Sequence, residues 1–325
     1  MSDIPLRRLQ AFGGDSNRKA AVVAQVEAHA AAKEIVPGPG FWDGRRGSLV
    51  GVAAHDADMA AIERECGIDP GLLFALEAWW RMVYFAAPLH VAAWSRLDSG
   101  EVEQVRRFPV DWLAALAPGA DTRDGAREIL LWCLYATLGD VEASSGPARE
   151  LGEIVAEMTA MYGAEPAPGR DEWRQVRKRA VGLNDRLAAT DSVAASAAAV
   201  VETAAWPIGP SGSTVADVVE GYVNTAGAIA MREEGWTRSD EDLRTELEDR
   251  LNRGFESTFP IADEQERMAA QATVRREHDA SVDAEYPGFR ARTMAMREAV
   301  GIARWNRLYA MRAPILAVLE QAPRN

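Results

Sequence analysis

The sequence predicts an all-α protein folded as an irregular multi-helix bundle. Three observations point there. Apolar residues recur at spacings of three and four along most of the chain. Ser, Asp and Pro residues open these stretches, and Gly or Pro closes them. Only "SLVGVA" reads as a strand, and Gly51 interrupts it, so at most a vestigial β pairing is expected near residues 48–53.

The elements follow in order. Ser16 is placed to cap a helix over "NRKAAVVAQVEAHAAAKEIV" that ends at Pro37. A short helix, "DMAAIEREC", closes at Gly67. Asp69 caps the next, with Pro70 at its first position. That helix, "GLLFALEAWWRMVYFAAPLHVAAW", ends near Pro88; Glu77, Arg81 and His90 within it argue against a membrane span. Separate helices fit "GEVEQVRRF" and "VDWLAALA", then "DGAREILLWCLYATLG" and "PARELGEIVAEMTAMYG". "GAEPAPGR" reads as a linker, followed by one long helical stretch from Asp171 to Trp206 whose later part is alanine-rich. Three helical patterns and a last helix running to Pro314 complete the chain. The predicted division is a helical domain over 1–165 that carries a glycine-rich loop and a helical domain over 166–325, the two able to pack as one unit.

Hydrophobic residues make up 48% of the 325, enough for a sizeable core. The net charge of -13 repels phosphate backbones and anionic membranes, so neither nucleic acid nor membrane is an expected partner. Two cysteines, Cys66 and Cys133, form no disulfide framework. With no apolar signal core at the start, a cytoplasmic location is expected.

Chemistry concentrates in "GPGFWDGRRGSLVGVAAHD", Gly38 to Asp56, where five glycines, Trp42, Arg45, Arg46 and the pair His55–Asp56 lie between helices. Glycines permit positive φ and close backbone approach, and the arginine forks suit anions. The spacing is neither a Walker A loop nor a dinucleotide fingerprint. An irregular connection with solvated arginines accounts for the same residues. A third reading aligns His29, His55, Asp56 and either Asp111 or Asp121 with HD-type metal-dependent phosphohydrolases. Adjacent Trp79 and Trp80 point about 100° apart on a helix, so one of them is expected at a pocket, an interface or the core boundary. In the last helix, Arg304, Trp305, Arg307, Tyr309 and Arg312 form a basic-aromatic face expected to meet acidic helices such as "SDEDLRTELEDR".

The pieces "AFGGDSNRKAAVVAQVEAHAAAKEIV", "FWDGRRGSLVGVAAH", "ERECGIDPGLLFALE" and "PGADTRDGAREILLWCL" together resemble a family of uncharacterised proteins of tailed phages and bacteria. That family shows a leading helix ending in His-x-x-Ala-Asp-x-Ile. An aromatic, a Gly-Lys-Gly-Cys-Ala-Val-Gly-Cys-x-x-His core and a Gly-Ala-Asp turn follow. The resemblance covers residues 12–139. It carries over His29, Trp42, Gly47, Gly51, His55 and Asp121 and implies a shared fold and loop, without a reaction. The family's two cysteines fall on Ser48 and Val52, so no thiol or metal role passes to them.

The expected function is that of a soluble helical enzyme or small-ligand binder. Its site would be built from His55 and Asp56 as catalytic residues. Ligand contacts would come from His29, Trp42, Arg45, Arg46, Gly47, Ser48, Gly51, Trp80 and His90. No metal and no cofactor is implied, and the partner is a small molecule or a protein. The alternatives are a non-catalytic, phage-derived interaction module and the HD-type phosphohydrolase. From the net charge, duplex DNA at physiological salt should bind more weakly than the usual non-specific range of roughly 10⁻⁴–10⁻⁶ M. A salt-sensitive shift at lower concentrations in a mobility titration contradicts this.

Overall fold

The computed structural model describes residues 10–38, 40–86, 98–141, 146–209 and 212–324. It is 74% helical, with 13 α-helices among the described residues and no sheet. A 3-10 turn at Ala11–Gly14 precedes α1 (Ser16–Ala31), α2 (Gly51–Ala54), α3 (Met59–Cys66) and α4 (Pro70–Ala86). Next come α5 (Ser99–Ala115), α6 (Gly125–Leu138), α7 (Gly146–Tyr162), α8 (Arg170–Leu187) and α9 (Ser192–Ala204). The chain ends with α10 (Ser213–Glu233), α11 (Arg238–Glu256), α12 (Glu264–Glu285) and α13 (Phe289–Glu320).

Several boundaries differ from expectation for identifiable reasons. Asp15, not Ser16, caps α1, accepting the Asn17 N–H at 2.7 Å. α1 stops at Ala31, well before Pro37, because Lys33 takes positive φ and turns the chain back. The two helices expected around Phe108 are one, with Pro109 inside it. α13 likewise runs through Pro314. Each proline forfeits one backbone bond, but buried neighbours (Phe108 and Trp112; Met311 and Ile315) fasten both turns to the core. The stretch expected to be continuous from Asp171 to Trp206 is split at Asp191, whose carboxylate caps α9 through the N–H groups of Val193 and Ala194. The vestigial pairing lies just ahead of 48–53: Ile35 and Trp42 each bridge to Gly47, and Gly51–Ala54 is a helical turn.

One hydrophobic cluster runs from Ala11 to Leu319 and so draws on both halves of the chain. α10 lies at its centre, against α4, α6, α9 and α13. α9, whose sequence allowed either a packed helix or a connector, is packed: Ala194, Ala197, Ala198 and Ala204 are all buried. Polar ties join the halves. Trp79 donates its indole N–H to the Leu308 carbonyl at 3.1 Å. Arg307 grips Asp140 at 2.7 and 2.9 Å and lies over the Tyr222 ring. Arg312 holds Asp111 at 2.5 Å. The basic face of α13 therefore meets α5 and the end of α6, whereas the acids of α11 are answered by Arg292 and Arg297 earlier in α13.

α11 and α12 form a projecting hairpin outside the main cluster, each burying one residue, Leu247 and Val282. α13, about 48 Å long at 1.5 Å per residue, joins hairpin to body. Among the described residues, no helix is long and apolar enough to cross a membrane. Trp79 is fully buried and packs on Phe108, with ring centroids 4.0 Å apart. Trp79→Ala should cost about 3–5 kcal/mol by cavity formation. Phe259→Ala, on the exposed hairpin tip, should stay within roughly 0.5 kcal/mol. Urea unfolding of both variants checks the contrast.

Candidate functional site

The site is assembled from the end of α1, the loop 34–50 and the short helix α2. Lys33, at φ 59°, reverses the chain so that Glu34 reaches back to the helix it has just left. The returning strand is laced by backbone bonds: Val36 N–H to Gly47 O at 2.8 Å, Gly47 N–H to Glu34 O at 3.1 Å and Ser48 N–H to Phe41 O at 2.8 Å. Gly51 is obligatory here. A Cβ at this position would lie 2.1 Å from the Phe41 carbonyl oxygen. Gly47 is nearly as confined, at 2.8 Å from the Trp42 ring.

Both ends of α2 are fixed from outside the loop. Gln25 of α1 donates to the Val52 and Ala53 carbonyls, at 2.7 and 3.2 Å. Glu77 of α4, only 1% exposed, accepts the Val50 N–H at 2.7 Å through Oε1. Its Oε2 is buried with no well-formed hydrogen bond, although the Ser48 hydroxyl and the Leu49 N–H also bear on the carboxyl. Ser48 itself is buried and accepts the Gly51 N–H at 3.0 Å. Burial dominates at Glu77 and pushes its pKa up to about 7.

α2 delivers His55 in the left-handed region, at φ 53°. That conformation costs a non-glycine residue about 1–2 kcal/mol. There His55 Nε2 lies 2.9 Å from Nε2 of His29. On the far side, His29 Nδ1 lies 2.9 Å from the Glu34 carboxylate. Trp42 stacks on His55, with centroids 4.5 Å apart and planes within 13°, and meets His29 edge-on at 5.4 Å. Arg45 donates to the other Glu34 oxygen at 2.5 Å. Arg45 and His29 both lower the Glu34 pKa, with Arg45 the larger influence. Burial and the neighbouring His29 lower that of His55.

His29, Trp42, Gly47, Ser48, Gly51 and His55 thus meet in one place, and Arg45 joins them through Glu34. Other expected residues do not. Arg46 is turned onto Asp43, taking its carboxylate at 2.7 Å through the backbone N–H. Asp56 is exposed and accepts the Asp58 N–H at 2.9 Å, closing a turn, with no bond to either histidine among the described residues. Trp80 lies on α4, half-buried against the core, with no bond or ring contact to the pair among the described residues. His90 lies outside the described residues. Of the aspartates aligned with a phosphohydrolase, Asp111 is held by Arg312, and Asp121 is gripped by Arg123. Among the described residues, no three His, Cys, Asp or Glu side chains are grouped to hold a metal ion.

Two residues of this arrangement, Glu34 and Glu77, escaped the sequence reasoning. Glu34 sits inside what reads as a continuing helix, so nothing in the spacing brings it back to His29. Glu77 did leave a signal, as the one acid in the apolar run "GLLFALEAWW". Comparison with family models, with curated proteins and with solved structures finds no match.

The Glu77 environment predicts a pH signature. Its pKa, about 7 in the fold, exceeds the unfolded value of about 4.3, so the folded state holds the proton longer. Stability should fall as pH rises from about 4.5 to 7, by on the order of 3 kcal/mol. Glu77→Gln, which retains an oxygen for the Val50 N–H, should remove that slope. Urea midpoints of both proteins between pH 4.5 and 8 test it, and parallel curves contradict it.

Proposed function

We propose that this chain binds a small polar molecule at the His29–His55 pair and acts on it by proton transfer. The support is the 2.9 Å contact between the two Nε2 atoms, backed by Glu34. The Glu34 carboxylate accepts the Nδ1–H of His29. Nε2 of His29 then carries a lone pair and accepts the Nε2–H of His55. This leaves the lone pair of His55 on Nδ1, which has no hydrogen-bond partner among the described residues. The lowered pKa keeps His55 neutral at pH 7 and that lone pair available.

A proton taken from a ligand at His55 Nδ1 lets the Nε2 proton pass to His29. The positive charge then rests beside Glu34, the orienting arrangement familiar from carboxylate–imidazole catalytic groups. Trp42 fixes the plane of the His55 ring and covers one of its faces. Strain at His55 fits this reading, since strained backbone concentrates at functional positions. A second reading, an interaction module, draws on the hairpin tip, where Phe259 and Met268 are 64% and 62% exposed. The phosphohydrolase reading loses support, because its aspartates are engaged elsewhere.

Long-range proton–nitrogen NMR at pH 7.5 should find His29 as the Nδ1–H tautomer and His55 as the Nε2–H tautomer. Diethyl pyrocarbonate should modify His55 ahead of His29 and His278, with a rate that rises as pH climbs through a midpoint below 6.5. His55 in the Nδ1–H form, or unreactive, overturns the relay. Polar ligands found by saturation-transfer NMR should be lost in a folded His55→Ala variant. Ligands that all survive that change place the function elsewhere.

A further inference from the structure

A cavity of about 590 Å³ opens where the first turns of α4 and α6 meet the end of α7, the start of α8 and the loop after α9. Its volume falls within the range of small-molecule sites, roughly 300–1,000 Å³. It shares no residue with the histidine pair. One wall is apolar and aromatic, formed by Met161, Tyr162, Trp173 and Ile208. The Tyr162 and Trp173 rings meet at 4.9 Å. The Tyr162 hydroxyl shares its one proton between two main-chain carbonyls, Ala204 at the end of α9 at 2.5 Å and Trp206 in the loop at 2.7 Å. The wall is therefore fixed in place.

The rest of the lining is charged and unbalanced. Arg123 and Arg127 line it, but each already faces carboxylates. Arg123 takes Asp121 with its Nε at 2.9 Å, and Arg127 lies 3.2 Å from Asp124 and 3.1 Å from Glu128. Asp69 and Glu63 line the same cavity and have no cation among the described residues. Asp69 is half-buried and caps α4 by accepting the Leu72 N–H at 3.2 Å. The Leu72 and Gly71 N–H groups both bear on its carboxylate, but no cation pairs with it among the described residues. Burial, with Glu63 and Asp121 nearby, disfavours the Asp69 carboxylate. A ligand cation would relieve both the burial cost and the repulsion. Aromatic residues in the same lining favour a cation, as does the net charge of -13.

We propose that this cavity binds an organic amine, with its ammonium on Asp69 and Glu63 and its apolar body against Tyr162, Trp173 and Ile208. Calorimetry on the full chain at pH 7.5 tests it with three probes of one shape: phenethylamine, 2-phenylethanol and 3-phenylpropionate. Phenethylamine should bind, the alcohol about tenfold or more weaker through loss of the charge-assisted bond, and the acid not at all. Asp69→Asn keeps an oxygen for the α4 cap, and it should weaken phenethylamine about tenfold. Glu63→Gln, away from any cap, should weaken it in the same direction and serves if the Asn variant fails to fold. The proposal falls if phenethylamine does not bind at about 10 mM. It falls equally if the alcohol or the acid binds as well as the amine, or if neither substitution alters the affinity.

Discussion

Glu77 is the constraint on which the loop and its histidines depend. A carboxyl group buried in an apolar helix has a large desolvation cost unless it is given partners. Here the partner is the turn Ser48–Gly51, whose Val50 N–H it accepts. Leu49, Val50 and Val52 are buried in the core as well, and the carboxylate fixes the backbone that carries them. With Glu77 at one end of α2 and Gln25 at the other, four residues of helix are pinned in position and angle. The left-handed His55 is then forced onto His29. Without that anchor, a strained residue at the end of a single helical turn would relax.

The body that carries this anchor is rigid because its helices lie close together. α9 and the later half of α10 bury alanine, glycine, threonine and valine, and nothing larger, so backbones approach closely. Close packing of that kind tolerates little volume change. The large side chains collect where α4, α5 and α13 cross, and Trp79, Phe108, Trp112 and Trp305 fill that region. α4 therefore serves twice. One face builds the core with Trp79, and the other holds the loop with Glu77.

Most helix starts were legible in the sequence because their signals are local. Asp69 capping α4 and Gly67 closing α3 both follow from residue chemistry within a few positions. The glycines of the loop were legible for the same reason. Gly47 and Gly51 stand where backbone meets ring or carbonyl. Errors arose where tertiary packing overrides a local signal. Pro109 and Pro314 are strong breakers in sequence, yet both lie inside helices fastened on either side by buried neighbours. His29, Trp42 and His55 could be named, but their contact could not. Glu34 reaches His29 only because Lys33 takes a conformation that sequence disfavours. Asp56 and Trp80 attracted interest by adjacency in sequence, and adjacency says little about direction: Asp56 closes its own turn, and Trp80 leans on the core.

Stability is unevenly spread along α13, and that unevenness bears on how the halves of the chain communicate. Its last part carries Trp305, Leu308, Met311, Ile315 and Leu319, all buried in the body. Its first part buries Met296 alone and otherwise rests on a Phe289–Trp236 ring contact and on ion pairs such as Arg292 with Asp240 and Arg297 with Glu248. Both arginines are about half exposed, and such pairs contribute about 0–1 kcal/mol each. The hairpin α11–α12 is therefore the part of the described structure with the least apolar burial to hold it, and local opening begins in such parts. Opening there need not disturb the loop site. The carboxylate that holds that site belongs to α4, and α4 is fastened to the end of α13 that stays in the core.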